Sequence, residues 1–164
     1  MTMTNKYELT DITHLDTPSL RRIRALRDIP RAGVRAGDLG GWIERVENLD
    51  QDGDCWVSSG ARVFGNAEVS GHASVGAGAR VSSARDILCA VVIGAGPFEA
   101  TLHKTTSGHR LQVGCWDGTV PEFRAMIESD KWVEATPEQI RAQRPEMLAF
   151  AAMCEARIAT WGDR

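Results

Sequence analysis

The sequence predicts a mainly β fold organised around a segment of short strands between residues 55 and 84. Valine returns at every sixth position, alanine follows four residues after each of the first four valines, and the pattern stops at Arg85, where the next alanine would stand. A fixed short period reports on the architecture of the whole segment. Six residues suit one side of a triangular coil, with an inward valine on a short strand and a small alanine at the corner. The valines are Val57, Val63, Val69, Val75 and Val81.

These repeats resemble the left-handed parallel β-helix that is built from hexapeptide repeats. Gly65 and Gly71 fall at the corners, where a residue without a Cβ atom can adopt unusual dihedral angles. The predicted fold class is therefore a short left-handed parallel β-helix with an N-terminal strand cap and a small C-terminal α+β domain. We expect the strand cap over 1–38, the β-helix over 39–85, and the α+β domain with a helical tail over 86–164.

The N-terminal cap carries weaker signals. Residues 6–10 alternate between polar and apolar and predict a short first strand. Residues 20–29 fit neither a clean helix nor a clean strand, and we interpret them as a strand that pairs with 34–37 across a turn at 29–33. A degenerate first coil is expected from about Leu39, because three apolar residues lie six apart there: Ile43, Leu49 and Cys55.

The pattern changes after residue 86. An apolar run over 87–93 predicts a buried strand, followed by a turn at 94–97. Residues 100–105 and 110–114 predict a hairpin.

Two helices complete the C-terminal half. Thr119 with Glu122, and Thr136 with Gln139, each have the spacing of a capping box, with proline at or next to the first helical position. The apolar face of the first helix is expected to be Val120, Phe123 and Ile127. The second helix is expected to be interrupted before Pro145, since proline disfavours helix at the residue before it.

Several motifs also resemble a family of small proteins carried by bacteriophages and prophages, many described only as hypothetical or as polymer-forming. The motifs are Ala-Gly-Asp-Leu-Gly-Gly-Trp-Ile-Glu over 36–44, Gly-Asp-Cys-Trp-Val over 53–57, the repeats that follow, and Gly-Cys-Trp-Asp-Gly-Thr over 114–119. His72 departs from this family, whose repeat usually has asparagine there. This resemblance, the absence of a catalytic constellation, and the arginine- and tryptophan-containing region described next together favour a non-enzymatic binding protein that acts in the host cytoplasm. Its implied role is counter-defence, by sequestering a host immune component that is either a nucleotide signal or a protein.

Arginine dominates the segment 21–35, where six arginines accompany Asp28 as the only acid. Two interpretations stay open: a solvated strand face that prevents edge aggregation, and an anion site, because guanidinium forks pair bidentately with phosphate. Hexapeptide-repeat proteins usually form trimers, so we expect a homotrimer in which arginines of one chain approach tryptophans of another. The candidate ligand-binding residues are Arg21, Arg22, Arg24, Arg27, Trp42, Trp56 and Arg62.

Other chemistry has weaker support. His72 is a candidate general base, as in hexapeptide-repeat acyltransferases, and acyl transfer is the alternative function, with a structural phage protein as a third. The four cysteines form no CxxC pair, which favours a reduced, metal-free protein without a disulfide framework. Asp50, Asp52 and Asp54 suggest a calcium loop, but Ala61 stands where the bidentate glutamate belongs. We expect no cofactor, no secretory signal and no membrane partner.

Overall fold

The computed structural model describes residues 5–93, 97–130, 132 and 135–162, without the side chains of 91–93, 97 and 98. The chain forms two compact units. The first consists of Met1–Asp86 with His103–Thr106, and the second of Ile87–Leu102 with Ser107–Arg164. The predicted division at residues 38 and 85 stays a prediction.

The first unit contains a five-stranded mixed sheet and a two-stranded parallel sheet. The larger sheet has the strand order β1-β2-β3-β5-β7, and the smaller one pairs β4 with β6. Two 3₁₀ helices, Pro30–Ala32 and Val46–Asn48, lie between the strands in sequence. The strands are β1 Tyr7–His14, β2 Thr17–Ala25, β3 Leu39–Ile43, β4 Trp56–Val57, β5 Arg62–Val63, β6 Ser74–Val75 and β7 Arg80–Val81.

The predicted left-handed parallel β-helix is wrong, although the chain is mainly sheet. β1 and β2 pair antiparallel, and β2 pairs antiparallel with β3, so the strands that follow extend a mixed sheet. The repeat strands are only two residues long, and most of the segment lies outside strands. The spacing between paired residues also changes where the repeat begins: Trp42 pairs with Arg62, twenty residues on, whereas Arg62 pairs with Arg80, eighteen residues on. A six-residue period fixes which side chains face inward, but it does not ensure a regular coil.

The inward direction of the repeat valines is confirmed. All five are at most 2% exposed, and the alanines at 61, 67 and 79 are buried with them. Gly65 and Gly71 have φ values of 60° and 65°, as expected at tight corners. The core of this unit is therefore built from small aliphatic side chains, whose burial stabilises it by about 25 cal/mol for each Å² of apolar surface.

Gly40 and Gly41 allow β3 to lie close to its neighbours. A Cβ atom on Gly40 would approach the Trp56 ring within 2.6 Å, and one on Gly41 would approach the Ser58 carbonyl oxygen within 2.5 Å. Both distances are shorter than any ordinary non-bonded contact. The close approach lets Trp56 pack beneath β3, where it is 3% exposed.

Asn48 joins three segments of the first unit from a fully buried position. Its side-chain oxygen accepts hydrogen bonds from the backbone nitrogens of Glu44 and Arg45. Its side-chain nitrogen donates to the carbonyl oxygens of Gly65 and Ala67. These bonds use the full capacity of the amide, which is why a polar side chain can be buried there.

The start of β1 is fixed by side chains that reach backbone carbonyls. The Tyr7 hydroxyl oxygen lies 2.9 and 2.7 Å from the carbonyl oxygens of Val46 and Leu49, which share its one hydrogen. Thr10 similarly donates to the carbonyl of Arg22 on β2. The predicted first strand over 6–10 is confirmed.

The strand interpretation of 20–29 is confirmed up to Ala25. Its predicted ladder with 34–37 is wrong, because β2 pairs with β1 and β3. Residues 34–37 instead make an antiparallel bridge between Val34 and Ile29, and the Gly37 backbone nitrogen donates to the Ala25 carbonyl oxygen at the end of β2. β3 offers five strand residues for pairing, whereas 34–37 has glycine and turn geometry.

The second unit contains a four-stranded antiparallel sheet in the order β11-β10-β9-β8, and two α-helices. Its core is one cluster drawn from the sheet and both helices, including Leu102, Leu111, Phe123 and Phe150. The elements are β8 Ile87–Ile93, β9 Pro97–Thr105, β10 Gly108–Val113, β11 Trp116–Gly118, α1 Val120–Glu128 and α2 Pro137–Ala159.

Both capping boxes are confirmed. Thr119 and Thr136 accept hydrogen bonds from the backbone nitrogens of Glu122 and Gln139. The predicted interruption before Pro145 is wrong, because α2 runs through it as one helix. Packing of the α2 side chains into the core outweighs the local cost of the proline.

The other predictions for this half have mixed outcomes. The apolar face of α1 and the hairpin of β9 with β10 are confirmed. The strand over 87–93 is also confirmed, but it is not buried throughout, because Cys89 is exposed. The turn predicted at 94–97 falls on residues outside the described ones, apart from Pro97, which begins β9.

Two features are absent from the described residues. None of the helices there is both long and apolar enough to cross a membrane. Within the same part of the chain, no group of three or more histidine, cysteine, aspartate or glutamate side chains is arranged to hold a metal ion.

Candidate functional site

A row of four side chains crosses four strands of the five-stranded sheet. Arg22 of β2 pairs with Trp42 of β3, Trp42 pairs with Arg62 of β5, and Arg62 pairs with Arg80 of β7. Neighbouring strands lie about 4.8 Å apart, so these side chains are close neighbours. The next residues on β3, β5 and β7 are all buried, so the row points away from the core. We call Arg22, Trp42, Arg62 and Arg80 the arginine row.

Arg22 and Trp42 are held in a defined arrangement. The Arg22 Nε donates to the Gly40 carbonyl oxygen at 3.1 Å, and its Nη2 donates to the Ser59 hydroxyl at 3.0 Å. The guanidinium also lies over the Trp42 ring, 5.5 Å from its centroid. The His14 ring meets the same tryptophan edge-on at 5.0 Å. Both members of this end of the row therefore have little rotational freedom.

Arg62 and Arg80 are like charges placed in direct register, an arrangement that destabilises a sheet. The Arg80 guanidinium lies over the Phe64 ring at 5.1 Å. Among the described residues, no carboxylate oxygen lies within 4.0 Å of the guanidinium groups of Arg22, Arg62 or Arg80. The row therefore concentrates positive charge that a bound anion would neutralise.

The other predicted arginines have different surroundings. Arg21 pairs with Asp11 and donates to backbone carbonyls of β1, and Arg24 pairs with Glu8. Arg27 donates to the carbonyl oxygen of Gly53. The structure thus brings Arg22, Trp42 and Arg62 together in one chain. The sequence-based prediction had arginines of one chain approaching tryptophans of another chain in a trimer.

Two further positions differ between the predicted ligand-binding residues and the arginine row: Trp56 was predicted but is not in the row, and Arg80 is in the row but was not predicted. Trp56 is buried against Gly40 and does not belong to the row. Arg80 was missed, although a signal existed. Arginine directly precedes the repeat valine at both 62–63 and 80–81, and only those two repeats share that dipeptide.

His72, the candidate general base, lies beside a carboxylate. Its Nδ1 is 3.7 Å from the Asp54 Oδ2, and its side chain is about half exposed. The two turns are brought together by hydrogen bonds from the backbone nitrogens of Asp54 and Cys55 to the Gly71 carbonyl. A carboxylate beside that nitrogen can orient an imidazole. The pair is separate in sequence and strand position from the arginine row.

A groove of about 420 Å³ lies elsewhere on the first unit. It is lined by none of the row residues, and three of its lining side chains are carboxylates. An acidic lining repels phosphate, so this groove does not extend the positive charge of the arginine row. Its lining residues are Val46, Glu47, Leu49, Asp50, Gln51, Glu68, Val69 and Ser70.

Comparison with known proteins gives one partial similarity. Over 57 residues the chain is 42% identical to the protein named uncharacterized acetyltransferase YdcK of Escherichia coli (strain K12). That stretch is 34% of this chain and 17% of the E. coli protein, so the match covers less than a fifth of that protein's length. No family model matches the chain. The similarity bears out the predicted resemblance only in the coarse sense of a likeness to an acetyltransferase-type protein, and it gives no support to a phage origin.

Proposed function

We propose that the first unit binds a small phosphate-bearing ligand, such as a nucleotide, on the arginine row. The observation that carries this proposal is the register of Arg22, Trp42, Arg62 and Arg80 across four strands. It sets one guanidinium group over the Trp42 ring and two more on the next two strands, none of them near a carboxylate among the described residues.

The chemistry of the row suits such a ligand. Guanidinium forks bind phosphate oxygens bidentately, and an indole face accepts a stacked base. A hydrogen bond to a charged group contributes about 1.5–3 kcal/mol when sheltered from water. Arg22, Trp42 and Arg62 are partly buried, whereas Arg80 is exposed. Arg22 and Arg62 are therefore expected to contribute more to affinity than Arg80.

Calorimetry with linear and cyclic nucleotides, and with inorganic phosphate, tests the proposal. Wild type should bind at least one nucleotide more tightly than phosphate, and Arg22→Ala/Arg62→Ala should weaken binding at least tenfold. Arg21→Ala/Arg24→Ala is the matched control, because it removes the same charge from arginines that already have carboxylate partners. Equal affinity in all three proteins, or none in any, would refute the arginine row as a ligand site.

In this proposal the protein acts by binding rather than by catalysis. Several parts of this proposal rest on the sequence alone. They are the homotrimer, the location in the host cytoplasm, the counter-defence role, and a target that is either a nucleotide signal or a host protein. Native mass spectrometry of protein purified from its cells of origin addresses them together, because a retained ligand or partner and the number of chains are read directly.

Acyl transfer is the second candidate function. It is supported by the 3.7 Å contact between His72 and Asp54, and by the partial similarity to a protein named as an acetyltransferase. In this reaction His72 would remove a proton from the acceptor as it attacks the thioester. Release of free thiol from acetyl-CoA by wild type, and its loss in both His72→Ala and Asp54→Asn, is the expected result. Equal rates in wild type and His72→Ala would exclude the role of His72.

A further inference from the structure

Lys6 and Cys55 form a buried pair that the arginine row does not use. Both residues are 0% exposed. The Lys6 Nζ lies 3.0 Å from the Cys55 Sγ, 2.9 Å from the Cys55 carbonyl oxygen and 3.1 Å from the Asp52 carbonyl oxygen. These three acceptors match the three hydrogens of an ammonium group. The amine nitrogen and the sulfur are therefore held at hydrogen-bond distance by a defined set of contacts.

The environment limits what else the thiol can meet. Its other neighbours at hydrogen-bond range are the carbonyl oxygens of Val69, Asp50 and Asp52, which are not nucleophiles. Burial raises the pKa of the Cys55 thiol, and the hydrogen bond and charge of Lys6 act against that rise. The lysine thus offsets part of the cost of forming the thiolate, which is the nucleophile that attacks an oxidant.

We propose that oxidation by peroxide joins Lys6 and Cys55 through a covalent nitrogen–oxygen–sulfur bridge. In the first step the sulfur attacks hydrogen peroxide, the O–O bond breaks, an S–O bond forms, and water leaves, which gives a sulfenic acid. In the second step a further peroxide oxidises the sulfenic acid and the neutral amine. The amine loses one hydrogen from its nitrogen, and the sulfenic acid loses the hydrogen from its oxygen. An N–O bond forms between them, the O–O bond of the peroxide breaks, and two waters are released. The ammonium first gives one proton to solvent, and two peroxides are reduced for each bridge.

Access and protection both follow from the position of the pair. Lys6 directly precedes β1, which is an edge strand of the five-stranded sheet. Edge elements open locally at lower free energy than a core, which admits a molecule as small as peroxide. After closure the bridge is shielded from bulk reductant. It links residues that are forty-nine apart in sequence, and so it restricts the unfolded chain as a disulfide does.

The test uses the folded full-length wild type treated with hydrogen peroxide. The intact mass should rise by about 14 Da, one oxygen gained and two hydrogens lost. Trypsin should no longer cleave after Lys6, so the peptide 1–21 should be found joined to the peptide 46–62, which contains Cys55. Dithiothreitol should separate the two peptides, and the bridged protein should melt about 5 °C or more higher than the reduced protein.

Cys154 provides an internal control, because it is also buried, and no lysine acts on its thiol among the described residues. It should gain oxygen without forming a cross-link. Cys55→Ser and Lys6→Arg should both abolish the bridge, and the wild-type peptide map decides the question even if either variant fails to fold. The proposal is wrong if Cys55 gains only whole oxygens of about 16 Da each, if the joined peptides weigh about 2 Da less than their sum, or if the bridge forms equally well in urea.

Discussion

The guanidinium of Arg22 lies over the ring of Trp42, and Arg62 occupies the next position across the sheet. Trp42 therefore has a cation on each side along the row. A ligand whose ring stacks on the indole would have its phosphates within reach of either neighbour. In such a complex the stacked group would lie at Trp42, and the anionic groups would lie toward the arginines on either side.

Arg80 supplies the sharpest test of the row, because only the structure assigns it a place there. Arg80→Gln should weaken nucleotide binding about threefold to tenfold, less than Arg62→Gln, since Arg80 is exposed and its contacts are screened by salt. Calorimetry at low and high salt measures both effects. Arg24→Gln is the control, and an equal loss in that variant would mean that net charge, rather than the row, sets the affinity.

Tyr7 is the only tyrosine of the chain, so its ionisation can be followed directly by ultraviolet absorbance. Burial, followed by the nearby Cys55, Glu47 and Asp50, raises the pKa of its phenol well above the ordinary value of about 10. Neutral Tyr7 therefore stabilises the fold below pH 10, and this contribution is lost as pH rises through the folded-state pKa. Titration of the native protein should give a midpoint above 10. A midpoint at the ordinary value, with the fold intact, would contradict the buried hydroxyl.

His109 makes the second unit sensitive to acid. Its Nε2 accepts a hydrogen bond from the backbone nitrogen of Val120 at the start of α1, and burial lowers its pKa. A lowered folded-state pKa means that stability is full above about pH 6.5 and falls as pH drops through the folded value. Loss of the bond should cost about 0.5–1.5 kcal/mol. Hydrogen exchange of the α1 amides at pH 7.5 and 5 measures the change.

The matched variant for that prediction is His109→Gln, whose amide oxygen can accept the same bond without titrating. Its α1 amides should show the same protection at both values of pH, apart from the intrinsic pH effect on exchange. If wild type and His109→Gln respond alike to acid, the sensitivity arises elsewhere.

Gly41 should not tolerate even one methyl group. The Cβ of Gly41→Ala would lie 2.5 Å from the Ser58 carbonyl oxygen and 2.6 Å from that of Ala61, and neither backbone atom can move freely. We expect a loss of about 3 kcal/mol or more in the free energy of unfolding. In Gly162→Ala the nearest atom is 3.8 Å away. That variant should change stability by less than about 0.5 kcal/mol in a denaturant titration.

Asn48 should be nearly as sensitive, for a different reason. Asn48→Ala leaves the Glu44 and Arg45 nitrogens and two buried carbonyls without the amide that bonds them. We expect a loss of about 2–4 kcal/mol, measured as a shift in the urea midpoint. Asn66→Ala removes an exposed asparagine with a side-chain bond to Arg45, and should cost less than about 1 kcal/mol. Similar losses in the two variants would refute the special role of the buried amide.

The sequence predicted local features of the fold better than the arrangement of its strands. The buried valines and both helix caps could be read from spacing, because each depends on neighbours within a few residues. The mixed sheet could not, since it depends on how β2 pairs with β3 after a long intervening turn. The continuous helix through Pro145 likewise depends on packing that a local rule does not contain.

The candidate site shows the same division. The predicted ligand-binding residues included Arg22, Trp42 and Arg62, because arginine and tryptophan are frequent in that part of the chain. Their register was not predictable, since a shift of one residue in any strand would turn a side chain to the opposite face. Trp56 illustrates this, because it is buried although it was predicted to contact a ligand.

Each member of the arginine row comes from a different strand, so the row exists only while that sheet is intact. An unfolded chain scatters the same four side chains and has no comparable affinity for a phosphate-bearing molecule. Occupancy and folding are then thermodynamically linked: a ligand at a hundred times its dissociation constant would add about 2.7 kcal/mol to the free energy of unfolding. Thermal melting of the untreated protein against a library of cellular anions would thus report the natural ligand as a rise in melting temperature, whatever the chemical identity of that ligand.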